Sequence, residues 1–234
     1  MSNKNTYVYK CILHRLLHDT KYKLPYESAM YSEIICQPFN FYPDGGVIEG
    51  SSQKYIENEL RWYRGRDLSI KDWPGIGTNP IWQNCATENG HINSNYGWCV
   101  YDEENYDQFD NALRALLTDA ASRRALIIYT RPSIHIEQCD GIHANQDMLC
   151  TCYTGFLIRK NKLYMTVHMR SNDAWYGLRY DLVWQLNVYK MMYNRLLDKY
   201  TTLKKGKIIW VADSLHLYKN VKDKVEAWYN EIIE

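Results

Sequence analysis

The sequence predicts a mixed α/β (α+β) fold, with a mixed or largely antiparallel sheet flanked by helices. Three observations carry this. Stretches with apolar residues at helical spacing and runs of strand character both occur, but without the strict alternation of a doubly wound parallel sheet. The chain, at 234 residues, is long enough to bury one large core. Its 12 Gly and 6 Pro are scattered, and no charge run, Ser/Gly-rich stretch or repeat divides it, so residues 1–234 read as a single domain.

The elements follow in order. Val8, Cys11, Ile12 and Leu16 stand at helical spacing between Thr6 and His18. Tyr31 to Tyr42 reads as one strand, stopped by the turn signal Pro43-Asp44-Gly45-Gly46. Ser51 or Ser52 can cap a helix running to Arg64, with Gly65 as its stop. Glu59 falls inside that helix's apolar stripe of Ile56, Leu60 and Tyr63. Either it sits at the edge, salt-bridged to a neighbour, or it is a general acid/base whose pKa burial lifts toward working pH. Residues 66–103 are irregular, with Trp73, Trp82, Tyr96 and Trp98 among many Gly and Pro, the make-up of a site-building loop. Tyr106 to Leu117 is an amphipathic helix through Phe109, Leu113 and Leu116, and Ala125 to Tyr129 reads as a buried strand. Tyr153–Ile158 and Leu163–Met169 form a hairpin around Lys160-Asn161-Lys162. The longest helix runs from Asp181 to Leu197, with Leu182, Leu186, Tyr189, Tyr193 and Leu196 inward. Lys207 to Val211 is the last core strand, and a final helix begins near Tyr218.

Composition narrows the function. With 28 basic and 27 acidic side chains, the chain lacks the excess of Lys and Arg that a broad polynucleotide surface needs, though a local pocket for one phosphate is allowed. No apolar stretch reaches membrane-spanning length, and Lys4, Lys10 and Arg15 interrupt any signal-peptide core, so a cytoplasmic protein is expected. Seven cysteines without framework spacing read as reduced thiols, with Cys11, Cys36 and Cys99 as small core residues. The 21 Tyr and 8 Trp permit a pocket for flat rings.

The chemistry concentrates in the second half. Cys150 stands twenty residues ahead of Arg170-Ser171-Asn172-Asp173, and Asp181 follows in Gly177-Leu178-Arg179-Tyr180-Asp181. A thiol becomes a nucleophile when a nearby guanidinium favours the thiolate. Arg123-Arg124 is either a solvated turn or a fork for a phosphate dianion, to which Arg170 and Ser171 add a charge and a hydroxyl. His216 and Tyr218, two apart, can hydrogen-bond sugar hydroxyls or serve as capping and surface residues. A non-enzymatic alternative is a zinc-bearing module using Cys139, His143, Cys150 and Cys152, but that spacing matches no common finger or ribbon, and no metal is expected.

Taken together, these blocks resemble the thymidylate synthase superfamily and, within it, the phage deoxycytidylate hydroxymethylases. The resemblance runs from about Lys54 to Tyr218. It rests on residues 55–63, Ile92-Asn93-Ser94-Asn95-Tyr96-Gly97-Trp98, Asp119 to Arg124 leading into Ile128 to Ser133, Cys150, Met169 to Asp173, and Asp213 to Tyr218. It implies a thymidylate synthase-like fold whose sheet face packs in a homodimer, and a bacteriophage origin. It implies that Cys150 adds to C6 of a pyrimidine, Glu59 moves protons and Tyr96 lies near the reacting atoms. Arg170, Ser171 and Asn172 would contact the nucleotide, Arg123 and Arg124 would reach the partner's phosphate, and His216 and Tyr218 the deoxyribose. Trp82 and Asp173 would line the pocket of the co-substrate 5,10-methylenetetrahydrofolate.

Asp181 stands where thymidylate synthases carry Asn. An amide pairs with both N3–H and O4 of uracil, whereas a carboxylate accepts from N4–H and from a protonated N3 of cytosine, so the resemblance implies dCMP as substrate. The implied product is 5-hydroxymethyl-dCMP, formed by water addition. A dCMP C5-methyltransferase and a dUMP-using synthase or hydroxymethylase are the enzymatic alternatives. Two departures stand out: Thr151 replaces the histidine that follows the nucleophile, and Tyr26-Glu27-Ser28 lies where a basic phosphate contact is expected, leaving Lys21 or Lys23 to substitute.

Overall fold

The computed structural model describes residues 3–139 and 147–233. In chain order these form α1 (Lys4–His18), β1 (Met30–Ile35), β2 (Phe39–Phe41), α2 (Gln53–Gly65), α3 (Pro80–Cys85) and α4 (Tyr96–Tyr101). They continue through α5 (Gln108–Thr118), β3 (Leu126–Ile128), α6 (Ile134–Cys139), β4 (Thr151–Arg159), β5 (Lys162–Asp173), α7 (Leu178–Leu197), β6 (Lys204–Tyr218) and α8 (Lys222–Ile233). Parallel and antiparallel pairings both occur and helices flank the strands, so the fold is mixed α/β as expected. The chain groups into two compact units, Met1–Ser51 with Arg159–Glu234, and Ser52–Ile158.

In the first unit the fifteen-residue β6 is the organising strand. It runs parallel to β5 and antiparallel to two short strands, β2 beside 208–210 and β1 beside 214–218. The single strand expected over Tyr31–Tyr42 is therefore two. Cys36 turns into the left-handed region at φ 50°, its N–H bonding to Ala212 and Asp213 carbonyls, and Pro38 has no N–H to continue the ladder. In the hairpin expected around Lys160-Asn161-Lys162, Lys160 and Asn161 alone are left-handed (φ 50° and 55°), the backbone of a two-residue turn, and Lys162 already belongs to β5.

Burial on β6 alternates through Ile208, Trp210 and Ala212, then becomes continuous at Leu215, His216 and Leu217, so the strand's last turn is covered on both faces. The expected end of this strand at Val211 was thus seven residues early, and His216 and Tyr218 lie within it. Helix α7 packs on β5 with Leu178, Leu182, Val183, Trp184, Val188, Tyr189, Met192 and Leu196 buried, a wide apolar face, while Lys190, Asn194 and Arg195 lie exposed. Leu186 and Tyr193, expected inward, stay partly exposed. Helix α1 buries Tyr9, Ile12, Leu13, Leu16 and Leu17, leaving Cys11 exposed. Cys36 is exposed too, and of the three expected core cysteines Cys99 alone is buried.

The second unit opens with α2, capped by Ser52 Oγ on the Tyr55 N–H and closed by Arg66 in the left-handed region. Its buried face is Ile56, Glu59, Trp62 and Tyr63. Helix α5 starts two residues later than expected because Tyr106 and Asp107 are left-handed and Asp107 caps the Asp110 N–H. Strand β3 pairs antiparallel with β4, Ile127 opposite Thr154. The expected burial of β3 holds on one face only: Ala125, Ile127 and Tyr129 are buried, while Leu126 and Ile128 are 42% and 49% exposed. A continuous apolar run reads as buried on both sides whether or not the second side is covered within one chain.

Helix α4 docks on α2 at Gly97, where a Cβ would lie 1.7 Å from the Tyr63 carbonyl oxygen. Gly97→Ala must push the two helices apart. The expected result is a fall in Tm of roughly 5–10 °C, followed by circular dichroism on heating.

Candidate active site

The expected site residues fall into two sets, one within each unit.

In the first unit the set gathers where β5, β6 and α7 end or begin. Ser171 is paired with Ser214, Asn172 with Leu215 and Asp173 with His216 across the parallel strands. Asp173 Oδ1 accepts the N–H groups of Trp175 (2.6 Å) and Tyr176 (2.8 Å), turning the chain from β5 into α7. Asp181 lies in the first turn of α7 and accepts a 2.8 Å hydrogen bond on Oδ2 from Asn172 Nδ2. The other end of that amide, Asn172 Oδ1, accepts from Trp210 Nε1 at 3.2 Å. An indole N–H only donates, so the amide cannot flip, and its NH2 must face the carboxylate. Gly177 leaves room for this pairing, since a Cβ there would stand 3.1 Å from Asn172 Nδ2 and 3.2 Å from Asp181 Oδ2.

Burial pushes the Asp181 carboxyl up to about 6; the Asn172 hydrogen bond opposes the rise and the nearby Asp173 adds to it. Arg170 and Ser171 sit partly buried near the end of β5. His216 is 4% exposed, its ring edge-on to Tyr218 with centroids 4.8 Å apart. Lys23, a candidate for the phosphate, has its ammonium on the Leu16 and Leu17 carbonyls at the end of α1, and Lys21 pairs with Asp19.

In the second unit Cys150 immediately precedes β4, partly buried, with Sγ 3.9 Å from the Met148 carbonyl. The segment before it is tied by Asp147, a residue that no local pattern in the sequence singles out. Its buried carboxylate accepts the N–H groups of Asn93 and Ser94 (both 2.7 Å) and the Ser94 hydroxyl (2.5 Å). Arg131 donates to Asn93 Oδ1 at 2.9 Å. Next to this knot Asn95 caps α4, whose first residue is Tyr96. The structure thereby brings the Cys150 and Tyr96 segments together. Tyr96 is buried, stacked on Tyr63 at 5.4 Å and edge-on to Tyr129 at 5.2 Å.

Glu59 is 7% exposed and accepts from the Tyr55 hydroxyl at 2.9 Å, and that hydroxyl accepts from Trp82 Nε1 at 3.0 Å. The sequence contains a signal for Tyr55, which stands one helical turn before Glu59 on the same face. Arg123 and Arg124 are exposed and, with Arg114, line an open cleft of about 800 Å³.

Among the described residues, no helix is long and apolar enough to cross a membrane, and no group of three or more His, Cys, Asp or Glu could hold a metal ion. Of the zinc set, His143 and the side chain of Cys139 lie outside the described residues.

The family model for thymidylate synthase matches residues 50–231. The chain belongs to the thymidylate synthase family. Among its relatives, the deoxycytidylate 5-hydroxymethyltransferase of Enterobacteria phage T2 is 40% identical over 195 residues, covering 82% of this chain and 78% of the relative. That of phage T4 is 40% identical over 194 residues, covering 81% and 77%. The thymidylate synthase of Francisella philomiragia is 25% identical over 178 residues, covering 73% and 63%.

The largely desolvated, partly buried carboxyl at position 181 makes folding pH-dependent. Its folded pKa of about 6 exceeds the unfolded value, so the folded state binds the extra proton and stability from this group falls as pH rises from 4 to 6. Asp181→Asn removes the titration while keeping an oxygen for Asn172. The variant is expected to gain roughly 2 kcal/mol on the native protein between pH 4 and pH 7, read from urea unfolding at both values. An equal gap at both would disprove the raised affinity.

Proposed function

We propose that this protein is a deoxycytidylate 5-hydroxymethyltransferase, moving a one-carbon unit to C5 of dCMP and adding water to give 5-hydroxymethyl-dCMP. The observation that carries this is the 40% identity, over about four-fifths of the chain, to phage enzymes of that name. Asp181 supplies the physical reason for cytosine.

In the proposed reaction the Cys150 thiolate adds to C6, and negative charge moves through the ring toward N3. A carboxyl poised at about 6 can hold a proton at N3 and accept from N4–H near neutral pH. Against uracil it would set acceptor against O4. Asn172 acts through Asp181, since both ends of its amide are engaged. Arg170 and Ser171 hold the phosphate, and His216 and Tyr218 hold the deoxyribose. Glu59 orders the water that ends the reaction and moves its protons, and Tyr96 lies beside the reacting carbon.

The one-carbon unit comes from 5,10-methylenetetrahydrofolate, which supplies carbon at the oxidation level of formaldehyde. Trp82 and Asp173 are assigned to it. Trp82 fits a flat pterin: its indole is fixed edge-on to Trp62 at 5.2 Å and tethered to Tyr55, and it is partly exposed.

Leu126, Ile128 and Tyr153 form an exposed apolar strip across β3 and β4, with Ile128 directly opposite Tyr153. A second copy of the chain covers this face in the proposed homodimer and receives Arg123 and Arg124 at its phosphate.

Incubation with dCMP and methylenetetrahydrofolate is expected to give a product with the mass of the hydroxymethyl nucleotide and no dihydrofolate absorbance. Formation of dihydrofolate would mean hydride transfer and a methylated product. Cys150→Ala should lower turnover by at least about a thousandfold with the circular dichroism spectrum unchanged. Asp181→Asn should move the ratio of kcat/KM for dUMP over dCMP up by roughly 10–100-fold, and an unmoved ratio would remove the assignment of Asp181 to the base.

A further inference from the structure

We propose that Glu33 and Ser214 are positioning residues that lock His216 in a single tautomer, so that its remaining ring nitrogen can only accept a hydrogen bond, and accepts it from the free 3′-hydroxyl of the nucleotide. This deepens the functional reading above and rests on it for the identity of the ligand.

The geometry follows from strand register. Glu33 on β1 lies directly opposite His216 on β6, and Ser214 precedes His216 by two residues, on the same side of the strand. The Ser214 hydroxyl therefore stands between them, 2.5 Å from Glu33 Oε1 and 3.1 Å from His216 Nδ1. A carboxylate has lone pairs and no proton to give, so the hydroxyl proton points to Glu33. Toward the imidazole the hydroxyl then offers only a lone pair, and the proton of that contact sits on Nδ1. A neutral imidazole carries one N–H, which leaves Nε2 bare.

The rest of the environment makes Nε2 a binding group. His216 is 4% exposed, its ring plane is held edge-on by Tyr218, and among the described residues no hydrogen bond reaches Nε2. Nε2 is not among the fully buried polar atoms, so a ligand can reach it, and a ligand that shuts water away from this lone pair must donate to it in exchange. A 3′-hydroxyl donates. A 3′-ether, 3′-fluorine or 3′-phosphodiester does not, and each would place an acceptor against a lone pair. The lock thus refuses a nucleotide already joined through its 3′ oxygen and confines the site to the free mononucleotide.

The test uses the full chain labelled with nitrogen-15 histidine, the His216 signals being those missing from His216→Asn. In the nucleotide-free protein near neutral pH, Nδ1 is expected protonated and Nε2 bare. A ring protonated on Nε2, or on both nitrogens, overturns the lock. Ser214→Ala is expected to release a mixture of tautomers, and Ser214→Thr, which keeps the hydroxyl, to restore one; an unchanged tautomer in Ser214→Ala also overturns it. In kinetics the native protein should prefer dCMP over 3′-deoxy-3′-fluoro-dCMP, and Ser214→Ala should cut that preference at least about tenfold. A preference that survives the substitution counts against the proposal. Failure of the native protein to convert dCMP, with the tautomer locked as expected, would fall on the functional reading and leave the lock standing.

Discussion

A carboxylate removed from water persists only where donors replace the water, and three such groups organise this molecule. Asp147 receives two backbone N–H groups and a hydroxyl. Glu59 receives the hydroxyl of Tyr55. Asp181 receives one amide N–H from Asn172. The degree of satisfaction matches the work proposed for each. Asp147, met by charge-assisted bonds on both oxygens, acts as a fixed knot joining the chain before Cys150 to the chain before Tyr96. Asp181, met on one oxygen by a neutral donor and pushed up to about 6, is left able to exchange a proton. The anchor for that single donor lies further back, in an indole that holds the Asn172 amide in one orientation.

Much of this fold was legible because its helices announce themselves. Ser52 and the left-handed exit at Arg66 bracket α2 within a residue or two of the expected limits, and α7 shows its apolar period plainly. What could not be read depends on contacts distant in sequence. The division of Tyr31–Tyr42 into two strands depends on Cys36 bonding to Ala212 and Asp213, far along the chain. The full length of β6 was hidden because coverage on both faces erases the alternation that reveals a strand's end. For the site, types and order were visible in Cys150, Asp181 and His216, while their supports were not. Asp147, Trp210 and Glu33 act across 54, 38 and 181 residues respectively, and no local pattern encodes such pairings.

The two ends of the proposed nucleotide are read by opposite logic. At the base, the protein presents a group of adjustable protonation, because the ring changes its own proton demand as the thiolate adds. At the sugar, nothing changes during the reaction, and a fixed acceptor serves. Each arrangement uses a neighbour to set it: Asn172 moderates the Asp181 carboxyl without saturating it, whereas in the proposed lock Ser214, itself aimed by Glu33, leaves His216 no choice of tautomer. The difference between tuning and locking is the difference between one neutral donor and a chain of hydrogen bonds ended by a charge.

In the proposed reaction Asp181 selects the base, but it has no hold on what becomes of the carbon added at C5. That outcome is assigned, in the proposal, to the other set of residues. The hydrogen bonds there run one way, from the Trp82 N–H to the Tyr55 oxygen and from the Tyr55 hydroxyl to Glu59. Because an indole can only donate, the direction cannot reverse, and the string always ends on the carboxylate as acceptor. A group that terminates a donor string can still take a hydrogen bond from water, and in doing so it turns the water's oxygen lone pairs away from itself and toward an electrophile. An aromatic wall on the same string keeps bulk solvent from doing the same at random. The proposed hydroxymethylation calls for one water held by Glu59 at the right moment, and the fixed polarity of this string suits the carboxylate to that part.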